Sequence, residues 1–414
     1  MSITIRKSLL ELVFSGSFMK RWNDKLRPME LVEVDKQAHK MLTAWVLFAL
    51  YSRDMDVEER RSLGELVVEG GLFEYLHRLV ITDIKPPVYY RIKANRADYR
   101  RLIEWVLGKL APRIALLGED FASRMRDWLL DGDESAPARR ILNAAHLYAS
   151  YSEFKIIRGL NPDGFEMEEI EQSFEDRLGR LKDLPGVAEL LDPASVLGRF
   201  AATCGYLRFQ KRWSQTPRVP ETTVLGHMFI VACFVWFFSR EVGACRARRQ
   251  NNFFAGLVHD LPELLTRDII SPVKSSAPEI ADLIKQYELK ELERIILAPL
   301  RGGGYQDIAD RLAYFLGLEA GSEFAATVIR DGRVEVVDSA RLAGELNRDE
   351  LDPKDGELLK TCDRLAAFIE ASTALKNGIS SDQLYQACFR IRQFYEKTPE
   401  VAGVHVSALL ADFD

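Results

Sequence analysis

Two of the six histidines fall in a pattern with carboxylates that suits a metal ion. His227 leads into the apolar run Met228–Phe238, His259 and Asp260 are adjacent in HDLPELLTRD, and Asp363 lies in KTCDRLAAFIEA. Two imidazoles and two carboxylates make a mixed nitrogen and oxygen donor set. Such a set fits one divalent ion, Mn, Co, Ni, Fe or Zn, with Mg a further candidate. An ion of this kind lowers the pKa of nearby water and neutralises charge on a phosphoryl group. A helix across Gly256–Leu265 would bring His259, Asp260 and Glu263 to one face. Glu263 would then sit one turn after His259, where a carboxyl can position water or protonate a leaving alkoxide. A His-Asp dipeptide alone says little, because a histidine on an apolar helix is more often a satisfied core residue. The surrounding residues have to decide.

The elements that must carry these side chains read as helices. Arg60–Leu72, Arg100–Leu117, Ile280–Leu297 and Gly356–Leu375 each place apolar residues at i, i+3, i+4 and i+7. Strand alternation is convincing only across Ala325–Val337, where Asp331-Gly332 between β-branched runs predicts a hairpin with a primed turn. The fold class is therefore all-α with one small β-hairpin. A length of 414 residues suggests two or three domains at about 150 residues each. Hydrophobic residues at 47% and charged residues at 29% exclude a disordered chain. A net charge of −6 argues against an overall grip on nucleic acid or an anionic membrane. The longest apolar runs, Met41–Tyr51 and Met228–Phe238, fall short of the ~20 residues that span a bilayer. The N-terminal stretch lacks the pattern of a signal peptide. Five cysteines without CxxC spacing fit reduced thiols. A soluble cytoplasmic protein is expected.

The chain also repeats itself. Lys20-Arg21-Trp22 recurs as Lys211-Arg212-Trp213, and each is followed by a histidine, His39 and His227, that leads into one of the two apolar runs. Gly71–Val88 aligns without gaps to Gly256–Val273 with eight of 18 positions identical, where chance gives about one. A tandem duplication follows, with the helical pattern broken near Leu184–Asp192. We expect a first domain over 1–188 and a second over 189–414, the latter with an insertion at about 302–349.

On these residues the second half resembles the HD-domain phosphohydrolases, and among them the bacterial 5′-deoxynucleotidase group. The resemblance rests on KRW (211–213), His227, HDLPELLTRDIISPVK (259–274) and CDRLAAFIEA (362–371), and covers roughly residues 195–300 and 355–400. It implies two tandem HD-type helical domains and metal ligation by His227, His259, Asp260 and Asp363. It implies acid/base or water-orienting work for Glu263, with Asp260 as its catalytic companion. It further implies that Arg212 and Trp213 contact the phosphate and sugar of a nucleotide and that Asp268 reads a sugar hydroxyl. The chemistry of the residues agrees: arginine offers a fork of donors to phosphate, tryptophan a rigid apolar face, and aspartate an acceptor for a 3′-OH. Thr266, Ser271 and Lys274 are further loop or phosphate candidates. His77 and His405 read as ordinary histidines.

Two features depart from that family's pattern. Asp260 and Asp363 lie far apart for a compact member, and the interval contains the expected insertion, which would cover the pocket and alter substrate choice. The first copy, in turn, has lost the dyad. His39 takes the first metal position there, Glu74 and Tyr75 replace His259 and Asp260, and His146 replaces Asp363. A copy without metal is expected, with Arg21, Trp22 and Asp83 retained for the fold or for residual nucleotide binding. The related single-domain enzymes are typically homodimers, so the first copy would stand in for a partner subunit in an intramolecular pseudo-dimer, with a homo-oligomer as a further arrangement. The function expected is hydrolysis of a deoxyribonucleoside 5′-monophosphate to nucleoside and phosphate. The rivals are an HD-type phosphodiesterase or nucleoside triphosphohydrolase, and a non-catalytic nucleotide sensor or scaffold.

Overall fold

The computed structural model describes residues 5–164, 166–266 and 277–414. Helices make up 68% of the chain. Among the described residues, strands form only two antiparallel pairs, Lys20–Arg21 with Leu31–Val32 and Thr327–Arg330 with Arg333–Val336. The fold is all-α, as the periodicity led us to expect. The four periodic segments all lie in helices: within Val57–Ile81, in Arg96–Ile114 and the 3-10 turn Ala115–Leu117 that follows it, in Pro278–Leu292 and the π-helical turn Glu293–Leu297 after it, and within Gly356–Lys376.

Two helices form the centre, Glu33–Tyr51 and Val224–Glu241, packed against each other. Val57–Ile81 and Pro137–Arg158 flank the first, while Arg246–Val258 and Gly356–Lys376 flank the second. A helix that is apolar on every side must be enclosed on every side. Val224–Glu241 is long and apolar enough to cross a membrane, contrary to what the run length suggested, but 89% of it is buried inside the protein. Its apolarity is that of a core element. Gly256 allows the close crossing of its neighbour, because a Cβ there would stand 2.9 Å from Ala232 Cα.

One apolar core runs through both halves of the chain. Phe48 stacks on Phe254, and Tyr75 meets Phe229 edge-on at 4.9 Å. Polar contacts cross the same seam. Arg208 donates to Glu153 at 3.2 Å, and Thr223 Oγ1 donates to the buried Asp35 at 2.7 Å.

The two KRW segments adopt matching local structure. Lys20 pairs with Val32 and Lys211 with Thr223, antiparallel in both cases. Trp22 and Trp213 take left-handed backbone conformations, with φ of 57° and 55°. The hairpin turns at Asp331 and Gly332, both at positive φ as a primed turn requires. Thr327 bridges to Lys354, which ties the hairpin to the start of the Gly356–Lys376 helix.

One expectation needs correction. Gly256–Leu265 is not a continuous helix: the Arg246–Val258 helix stops, residues 259–262 form turns, and a short helix restarts at Glu263. Pro262 is the cause, since it lacks an N–H and its ring clashes with the carbonyl one turn back. At the aligned position the first half has His77, and there the Val57–Ile81 helix runs straight through.

Asp35 generates a test of this seam. Burial raises its carboxyl to about 7, against opposition from the Thr223 hydrogen bond and Arg208. The folded protein therefore holds a proton that the unfolded chain releases near pH 3.8. Asp35 contributes stability at low pH that is lost as pH rises from about 4 through about 7. Asp35→Asn is expected to leave the melting temperature unchanged near pH 4 and to raise it by about 1–3 °C at pH 8. Thermal melts of both proteins across this range would check it, and equal melting at pH 8 would contradict it.

Candidate metal centre

Thr223 caps the Val224–Glu241 helix, its hydroxyl accepting from Gly226 N–H at 3.0 Å, and this sets His227 in the first turn. His259 stands where the neighbouring helix ends, and its Nδ1 donates to Gly256 O at 2.8 Å. That bond fixes the tautomer and leaves the Nε2 lone pair for another partner. Asp363 comes from the Gly356–Lys376 helix. The start of that helix is anchored by Asp355, which caps Leu358 N–H and pairs with the buried Arg248. Asn252 accepts from Asp355 N–H at 2.7 Å, so the histidine helix and the aspartate helix are locked together.

These elements bring His227, His259 and Asp363 together, with one donor atom from each lying within 4.8 Å of the others. Asp260 stands beside them. Its Oδ2 is 3.4 Å from His259 Nε2 and 3.7 Å from His227 Nε2. His259 Nε2 is buried and makes no hydrogen bond among the described residues. A buried nitrogen without such a bond, facing carboxylates and a second imidazole, fits a divalent ion. The charges fit as well. Among the described residues, four carboxylates (Asp260, Glu263, Asp363, Glu370) face two guanidiniums (Arg212, Arg218), and with His227 neutral, as ligation requires, two positive charges would balance them.

Of the residues expected to contact substrate, Arg212 and Trp213 are held by carboxylates of the site. Arg212 donates to Asp260 at 3.2 Å and to Glu370 at 3.4 Å, and its side chain is 12% exposed. Trp213 Nε1 donates to Glu370 Oε2 at 2.8 Å, with the ring packed near Ala371, Ala374 and Leu384. Glu263 is buried, and its charge acts on Arg212. Thr266 Oγ1 donates to Glu288 at 3.0 Å. Asp268, Ser271 and Lys274 lie outside the described residues. Phe324, within the expected insertion, brings its ring 6.4 Å from that of His259.

Sequence reasoning missed Glu370. It is fully buried and gathers Arg212, Trp213 Nε1 and Thr222 Oγ1, while facing His227 Nδ1 at 3.4 Å. Burial and Arg212 both oppose charge on His227, but Asp363 and Glu370 outweigh them and raise it to about 9. Burial raises the Glu370 carboxyl, but Arg212, His227 and Arg218 outweigh it and hold the group well below the usual carboxylate range. The available signal was position: Glu370 is the last residue but one of the very motif CDRLAAFIEA that supplies Asp363, and Glu153 aligns with it in the first half.

The reading of the first half also requires a correction. Counting from the paired strand residues, Val32 matches Thr223, so four residues on it is Lys36, not His39, that matches His227. His39 faces the other way, with Nε2 2.9 Å from Ala201 O and Nδ1 3.3 Å from Arg208. A histidine three residues from the expected place, on a helix buried along most of its length, misled the alignment.

The model of the HD domain family matches residues 204–392. No curated protein and no solved structure matches the chain. The matched stretch contains His227, His259, Asp260, Glu263, Asp363 and Glu370.

Glu370→Gln keeps the shape but removes the charge that orients His227, Arg212 and Trp213. Loss of a carboxylate behind a metal-binding histidine is expected to weaken divalent-metal affinity about 10- to 100-fold. Calorimetric titration with Mn²⁺ checks this, and unchanged affinity would make Glu370 a packing residue only.

Proposed function

With an HD domain at residues 204–392 as the premise, we propose that the chain hydrolyses a phosphomonoester, with a deoxyribonucleoside 5′-monophosphate as substrate and nucleoside and phosphate as products. HD domains are metal-dependent phosphohydrolases as a class. The observation that carries the reading here is the buried His259 Nε2, without a hydrogen bond among the described residues, facing His227, Asp260 and Asp363. His227, His259 and Asp363 would hold the divalent ion, with Asp260 Oδ2 as a fourth donor. Bound there, the ion supplies Lewis-acid charge and lowers the pKa of water beside it.

The chain's own groups do the rest. Arg212 lies against Asp260 and reaches a phosphate placed over the centre with its forked donors. Glu370 holds Arg212 from behind and Trp213 by its indole N–H, so neither has to be ordered when substrate arrives. Glu263 assists proton transfer to the leaving 5′ oxygen. Asp268 accepts from the 3′-OH, and Trp213 gives the sugar an apolar wall that disfavours a further hydroxyl. The cysteines, three of them buried as single thiols, support a cytoplasmic setting.

The same reading treats the chain as a tandem duplication with its halves as a pseudo-symmetric pair, joined near 188. Its support is the repetition of fine detail. In the first half Trp22 Nε1 donates to Glu153 at 3.0 Å and Arg21 Nε at 2.8 Å, as Trp213 and Arg212 do to Glu370.

Phosphate release from a panel of deoxy- and ribonucleoside 5′-monophosphates with Mn, Co, Ni, Zn or Mg tests the proposal. Release should prefer deoxy substrates and fall at least 10³-fold in Asp260→Ala and Asp363→Ala. Turnover of diesters or triphosphates alone would replace the substrate class. Nucleotide binding without any turnover would make the protein a sensor.

A further inference from the structure

In the first half the positions of the metal set are filled by other chemistry. Lys36 stands for His227, Glu74 for His259, Tyr75 for Asp260 and His146 for Asp363. Lys36 Nζ lies 2.7 Å from His146 Nδ1, so the atom that would ligate an ion instead accepts from an amine. One turn on, Lys40 Nζ pairs with Glu74 at 2.5 Å. Both lysine side chains are almost wholly buried, at 2% and 1% exposure. Tyr75 turns away to donate to Val13 O. Where the second half has Glu263, the first has Arg78, paired with Glu33 at 3.3 Å and Asp83 at 3.1 Å. Arg21 takes Glu33 and Glu153, and Arg208 from the second half adds a further cation on Glu153.

The contrast is one of charge. Among the described residues the carboxylates of the second half outnumber the cations, whereas in the first Glu33, Glu74 and Glu153 each meet a cation of the chain itself. We propose that Lys36 and Lys40 replace the divalent ion: the two side chains occupy its place and satisfy Glu74 and His146, so the first half keeps its shape without metal. The inference rests on the duplication proposed above. It explains how three helices, Glu33–Tyr51, Val57–Ile81 and Pro137–Arg158, keep their arrangement without the ligand set. A buried carboxylate left alone is strongly destabilising, and a tethered cation removes that penalty without depending on metal supply.

The experiment uses the full chain carrying Asp363→Ala, which empties the second centre. Manganese content is measured after equilibration with Mn²⁺ and dialysis, and melting is measured in chelator and in Mn²⁺. The expected result is no bound manganese and no effect of Mn²⁺ on melting. Adding Lys36→His and Lys40→Ala supplies an imidazole and frees Glu74 and His146. That protein is expected to take up one manganese per chain and to melt several degrees higher in Mn²⁺ than in chelator. Manganese retained by Asp363→Ala and lost on Glu74→Gln would overturn the proposal, as would a folded triple variant that takes up none. If the triple variant does not fold, Lys40→Met alone and Lys40→Met with Glu74→Gln serve instead. The single change should lower the melting temperature and the second should restore most of it; equal melting of Lys40→Met and its parent overturns the proposal. A chain with an intact Asp363 that binds no manganese would refute the metal reading of the second half, and the lysine variants would still be read on their own.

Discussion

A buried glutamate beneath an arginine-tryptophan pair is the interaction on which each half is built. Glu370 and Glu153 are both fully buried and both receive an arginine Nε and an indole N–H. A carboxylate so placed must be surrounded by donors, because desolvating it alone costs several kcal/mol. The donors arrive on a short ribbon whose tryptophan adopts a left-handed backbone, and that ribbon leads into the central helix of its half. One ion cluster therefore fixes the strand entry, the helix start and the first-turn residue together. In the second half that first-turn residue is His227, so the geometry of the candidate metal centre is inherited from the glutamate behind it.

How much of this was legible in the sequence depended on whether the signal was local. Helical periodicity and the Asp331-Gly332 turn are local, and they identified the helices and the hairpin. The trio His227, His259 and Asp363 was legible because residue type and order survive without coordinates. Glu370 was not, since a glutamate inside an apolar helix looks like any charged residue on a solvated face until its partners converge from Arg212, Trp213 and Thr222. The break at Pro262 was written in the chain but was overridden by the periodicity on either side. The match between His39 and His227 failed because identity of residue type outweighed register, and register is set by strand pairing that a sequence does not display.

The two halves solve one electrostatic problem in different ways. Both enclose carboxylates at the meeting point of the same elements, and both must neutralise them. An ion from solution leaves open positions and charge to spare for a reacting phosphate. A lysine ends in a single ammonium with no acceptor and no exchangeable position, so it closes the site chemically as it stabilises it.

The continuous core has a consequence for how the molecule comes apart. If the first half unfolded alone, the apolar faces of Phe229 and Phe254 would meet water, and Glu153 would abandon Arg208 inside a dry interior. Neither half is then a separate cooperative unit, and their opening free energies converge on one global value. The first half, held in this way, then shares the lifetime of the half that carries His227, His259 and Asp363.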